Sequence, residues 1–129
     1  MATGFPASTG DVVSAPMWNG LVTYNVAADK TTDYTLVLND SYQVLIPTNS
    51  ASAIAVKIPT NANAAIPIGS VVTVLNKGAG TCTISAVTAG TTTVLSAGAS
   101  AAAPTLAQYK SAALIKVATD TWYIVGAIG

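Results

Sequence analysis

From Tyr34 onward the chain is cut into short apolar runs that alternate in polarity and stop at Gly, Pro, Asn or Asp. No other feature limits the fold as strongly. A period of two sends successive side chains to opposite faces of a strand, and no window keeps the helical apolar period with its caps. "YTLVL" (34–38) places Tyr34, Leu36 and Leu38 on one face. "YQVLI" (42–46) does the same with Tyr42, Val44 and Ile46, and Asn39-Asp40 between them predicts a hairpin, because this pair tolerates the positive φ of a tight turn. "AIAVKI" (53–58) directs Ile54, Val56 and Ile58 inward and Lys57 outward.

A loop with Pro59, Pro67 and Gly69 follows. "SVVTVL" (70–75) and "TCTIS" (81–85) flank the Gly-rich "NKGAG", which predicts a second hairpin. "TTTVLS" (91–96) is a further strand, and 98–108 a small-residue loop with one helical turn before Tyr109. The end of the chain predicts a closing hairpin about Thr119-Asp120. In it Ala113, Ile115 and Val117 face the core from one strand, Trp122 and Ile124 from the other. About eight short strands argue an all-β sandwich or barrel, and a jelly roll is the most economical version. "IPTN" occurs at 46–49 and 58–61, but each copy follows a strand end, so turn chemistry accounts for it without an internal repeat.

Residues 1–32 differ from the 33–129 domain. They hold two Pro, three Gly and isolated large apolar residues, and only Leu21 to Val26 alternates like a strand. This reads as an extended arm whose anchors are too widely spaced to form their own core. It lies on its own body or grips a neighbour. Phe5, Val12, Val13, Met17 and Trp18 are its candidate interaction residues. Trp18 leads them, because buried tryptophans dominate many interfaces.

Composition narrows function. Charged residues are only 8% of the chain, and the net charge is zero, five Lys against five Asp, with no Arg, Glu or His. A neutral surface resists self-association poorly, which points to a surface covered in the working state; solvation by Thr and Asn is the alternative. Scattered Lys without Arg make no nucleic-acid stripe. No apolar run is long enough to span a membrane as a helix, and the N-terminus lacks the n- and h-regions of a signal peptide. A soluble protein made in a reducing cytoplasm is expected.

Without His, neither a Ser-His-Asp nor a Cys-His arrangement can form. Asp29, Asp33 and Asn39 do not make the dense run of oxygen ligands that calcium needs. Asp40 and Asp120 fall in expected turns, and nothing pairs two carboxylates in a cleft. The expectation is a protein that is not an enzyme and holds no cofactor or metal. Cys82, which shares a face with Ile84, reads as a small buried hydrophobe. Trp122, beside Ile124, reads as core.

The succession "YTLVLNDSYQVLIPTNSASAIAVKIPTNANAAIPIGSVVTVLNKGAGTCTI", "TTTVLSAG" and "YKSAALIKVATDTWYIVGAI" resembles a β-structured module of tailed-bacteriophage virion proteins, over residues 34–128. The carrying motifs are the Ile-Pro strand end before an Asn/Ala loop, the "PIGS-strand-N-x-GAG-strand" order and the closing "K-strand-D-x-W-strand-G". Such modules occur in trimeric fibre or spike adhesins and, as short chains with an N-terminal arm, in capsid decoration (cement) proteins. This chain has no fibrous repeat, collagen-like segment or coiled coil, which favours the cement form. The resemblance implies a homotrimer on the capsid exterior that clamps the major capsid protein, and it names no catalytic residue. The alternative is a receptor-binding or tail-fibre domain that recognises a host glycan, for which Tyr109 is the main loop aromatic.

Overall fold

A computed structural model describes residues 26–42 and 45–128. Nine strands among the described residues form two mixed sheets. The four-stranded sheet contains β1 (Tyr34–Thr35), β3 (Ile54–Ile58), β5 (Cys82–Ala86) and β7 (Thr105–Leu106), in the order β1-β3-β5-β7. The five-stranded sheet contains β2 (Leu45–Thr48), β4 (Val71–Asn76), β6 (Thr93–Leu95), β8 (Ser111–Ala118) and β9 (Thr121–Gly126), in the order β2-β4-β8-β9-β6. The core lies between them, built from Ile46, Val72, Val74, Leu114, Trp122 and Ile124 on one side and Ile54, Val56, Ile58, Cys82, Ile84 and Leu106 on the other.

The all-β class is as expected, but the winding is not that of antiparallel hairpins. Up to β8, each strand lies in the opposite sheet from the one before it. The chain therefore coils, and equivalent strands of successive coils stack in parallel: β1 on β3, β3 on β5, and β2 on β4. Leu45 pairs with Thr73 and Ile54 with Cys82, so β2 on β4 and β3 on β5 share one offset of twenty-eight residues, whereas Tyr34 pairs with Val56, twenty-two residues on. The connection between the sheets stacks as well. Lys77 N donates to Thr48 O (2.7 Å), Gly80 N to Ser50 O (2.9 Å) and Ile54 N to Thr81 O (3.0 Å). Residues 26–30 begin an earlier coil along β2, with bridges from Val26 to Leu45 and from Lys30 to Thr48. The tail of the expected 1–32 arm thus runs alongside the body.

Both early hairpins are corrected by this winding. "NKGAG" does not turn β4 back on β5; it carries the chain from one sheet to the other and lies against 49–53. A Cβ on Gly78 or Gly80 would collide with the backbone of Ser50 or Ser52, so glycine is required there by close approach. Asn39-Asp40 lies in a 3-10 turn, Leu38–Tyr42, and not in a hairpin. Asp40 accepts from Val37 N (2.8 Å) and from the Tyr34 hydroxyl (2.7 Å), which holds the chain in a tight turn and leaves Leu38 half-exposed instead of inward. The segment before Tyr109 forms β7, not a helical turn.

The third hairpin is present, since β8 and β9 pair antiparallel with an irregularity between Lys116 and Ala118. The inward face of β8 is nevertheless the opposite of that expected. Ala112, Leu114 and Lys116 point into the core, whereas Val117 is 47% exposed. A lysine can occupy this inward position because the end of the sandwich supplies acceptors. Its Nζ donates to Asn61 Oδ1 and to Ile66 O, both at 2.6 Å.

Candidate interaction surface

Phe5, Val12, Val13, Met17 and Trp18 all lie outside the described residues. Of the other residues singled out by sequence, Trp122 and Cys82 are core, as expected, and burial pushes the Cys82 thiol up. Tyr109 stands 76% exposed on a turn with φ of 66°, its amide donating to Asn76 O (2.6 Å).

The four described aspartates each make a hydrogen bond within the fold. Asp29 accepts from Lys77 Nζ (2.8 Å) and Asn49 Nδ2 (3.2 Å), and the lysine chiefly holds its carboxyl below the usual range. Asp33 accepts from Ala55 N, Asp40 from Tyr34 and Val37, and Asp120 from Asn61 N (2.7 Å). Burial, then the Asp40 carboxylate, raises the Tyr34 hydroxyl well above the ordinary tyrosine value. Burial lowers the Lys116 amine, and the charge of Asp120 opposes that shift in part. No three His, Cys, Asp or Glu residues gather into a metal-holding group among the described residues. These polar contacts join coils and loops to one another, and each has a structural partner.

The feature that does stand out is the difference between the two outer faces. On the four-stranded sheet the outward residues are Thr35, Ala55, Lys57, Thr83, Ser85 and Thr105, a surface suited to water. On the five-stranded sheet the register lines up Leu45, Thr73, Ala113 and Val125 in one outward row. Val71, Ile115, Tyr123 and Leu95 form the next row. No strand residue on this side is charged. Val71, Tyr123 and Val125 are 45%, 42% and 41% exposed, and Val26 at the edge is 61% exposed. At about 4.8 Å between strands the face measures roughly 20 Å by 20 Å, about 400 Å², the size at which exposed apolar patches mark interaction sites.

A sequence signal for this face existed. "IAVKI" and "CTIS" alternate cleanly, as strands with one wet face do. "VVTVL", "ALIKV" and "WYIV" are apolar at both parities, the mark of a strand covered on both sides. Compared with protein-family models, curated proteins and solved structures, the chain matches none.

Proposed function

We propose that this chain is a capsid decoration (cement) protein of a tailed bacteriophage. It is made in the host cytoplasm, acts as a homotrimer, and binds the outer head surface against the major capsid protein. The observation that carries the reading is the uncharged apolar outer face of the five-stranded sheet, set opposite a polar one. A two-faced slab of this kind suits a protein that lies on another protein lattice. The virion-module resemblance of residues 34–128 adds the head as the site. The reading needs a two-layer body with one flat apolar face, and does not depend on a jelly-roll winding.

Magnitudes favour several attachment points. Covering about 400 Å² at about 25 cal/mol per Å² gives roughly 10 kcal/mol gross, and association offsets about 4–15 kcal/mol of such a gain. One face alone is marginal. A trimer with an arm on each subunit gains by multivalency, and the bound copies stabilise the assembled shell by mass action. The test mixes purified protein with heads that lack it and measures occupancy by sedimentation and imaging. Deleting residues 1–20 is expected to leave a folded body that no longer attaches. Full occupancy by the truncated chain would overturn the role of the arm.

A receptor-binding or tail-fibre domain that recognises a host glycan is the second reading. It is favoured by Tyr109, whose ring projects from a fixed turn where a sugar face can stack. Imaging virions that carry a labelled copy separates the two readings, head surface against tail tip. Tyr109→Ala abolishes glycan capture only under the second.

A further inference from the structure

Lys116 places a primary amine inside the fold, 2% exposed, where Trp122 of β9 stands opposite it. Its Nζ donates to Asn61 Oδ1 and to Ile66 O, both at 2.6 Å. Lys116 forms no salt bridge among the described residues. A buried charge without an ion partner is costly. Burial therefore shifts the amine toward its neutral form, and the charge of Asp120 opposes that shift only in part. Both side chains of the pair hang from fixed backbone. Lys116 N donates to Ser70 O (3.0 Å), and Lys116 O accepts from Gly69 N (2.7 Å). Asn61 N donates to Asp120 Oδ1 (2.7 Å), which sets a carboxylate beside the same pair. A nucleophilic nitrogen, a carboxamide in hydrogen-bond contact with it and a neighbouring carboxylate thus meet at one end of the sandwich.

We propose that Lys116 and Asn61 join in an intramolecular isopeptide bond, formed by the folded chain itself. Nζ adds to Cγ of Asn61 and the Cγ–Nδ2 bond breaks. The departing nitrogen takes one proton from the amine and leaves as ammonia. An amide then links the two side chains, and no oxidant, reductant or co-reactant is consumed. Three features favour the step. The attack needs a neutral amine, which burial favours. Holding amine and carboxamide in contact from fixed backbones makes the attack effectively unimolecular. Asp120 is the carboxylate placed to relay the proton from Nζ to the leaving nitrogen, as base and then as acid. The bond ties the loop after β3 to β8, and so one sheet to the other, across fifty-five residues. The freshly folded chain holds the free amine, and its unfolding and titration are those of that form; the bond forms afterwards. None of this depends on attachment to a capsid.

The test follows the intact mass of the full chain from purification through several days in neutral buffer, then maps it with trypsin under denaturing conditions. Complete loss of one ammonia within that time is expected. The lysines stand at 30, 57, 77, 110 and 116, so trypsin is expected to leave residues 58–77 joined to 111–129, uncut after Lys116. Lys116→Met and Asn61→Ala are expected to keep their full mass. In Asp120→Asn the amide oxygen still accepts from Asn61 N. This variant is expected to lose ammonia roughly a hundredfold more slowly with its β circular dichroism unchanged, an effect on rate that a merely structural role would not give. A wild-type chain that keeps its full mass throughout would overturn the proposal. Ammonia lost from the unjoined 58–77 peptide would overturn it too, since that marks a succinimide at Asn61. An unchanged rate in Asp120→Asn would overturn the relay.

Discussion

Lys116 reverses the usual reading of a lysine in a strand. Sequence reasoning sends an alternating Lys to solvent, and Lys57 obeys. Lys116 is 2% exposed because its amine finds Asn61 Oδ1 and Ile66 O, two acceptors supplied by a loop about fifty residues away in sequence. Periodicity carries no information about such a partner. Replacing it by a hydrophobe of similar length, Lys116→Met, leaves both acceptors unmet, and is expected to destabilise the fold by about 1–3 kcal/mol in urea unfolding. Titration adds a signature. Because burial lowers the amine, the unfolded chain holds the extra proton between the folded value and 10.5, and stability from this group rises with pH through that window. Tyr34 acts in the other sense. Its folded value is raised, so its contribution is whole below 10.0 and is lost as pH climbs above it. Tyr34→Phe is expected to flatten the loss of stability measured above pH 10, and Lys116→Met to remove the rise below it.

At the scale of elements, the strands were largely legible and their partners, the β8–β9 hairpin apart, were not. β3, β4, β5, β6, β8 and β9 fall where apolar runs predict them, because each run fills a buried face with Val, Ile and Leu. "NKGAG" looks like a hairpin tip because Gly-rich turns serve both to reverse a chain and to let two backbones touch. Here the second use wins. Asn76 anchors the same corner, donating to Gly80 O (2.8 Å) and Leu106 O (2.9 Å) while accepting from Thr48 Oγ1 (3.1 Å) and Gly78 N (3.1 Å). The twenty-eight-residue stack leaves no repeat in the sequence because its two copies share polarity, not identity. Ile46 answers Val74, Ile54 answers Cys82, and Val56 answers Ile84. Gly80→Ala is expected to destabilise by about 1–3 kcal/mol, since backbone and not a movable side chain must give way. The change at Gly90, with open space around it, is expected to be near neutral by the same unfolding measurement.

For the whole molecule, the outer faces set the predictions. Tyr123→Lys with Val125→Lys puts two charges on the apolar rows at half-exposed positions. Surface changes of this kind alter stability by about 0.5 kcal/mol or less, so the double variant is expected to unfold at nearly the wild-type midpoint. Its attachment to heads is expected to fall sharply in sedimentation. Equal occupancy would remove the face from the proposed function.

What the sequence alone determined is the all-β class, the position of most strands and core residues of both sheets, among them Ile54, Val56, Trp122 and Ile124. Those follow from local alternation, which each strand carries in its own residues. It also held the two-sided apolarity of β4, β8 and β9, the trace of the apolar outer face. Only the tertiary structure decided that the chain coils between two sheets, that the Gly-rich corner stacks on the corner before it, and that Lys116 turns inward. Those outcomes depend on contacts between residues tens of positions apart, where backbone clearance and the supply of hydrogen-bond partners outweigh any pattern a short window can show.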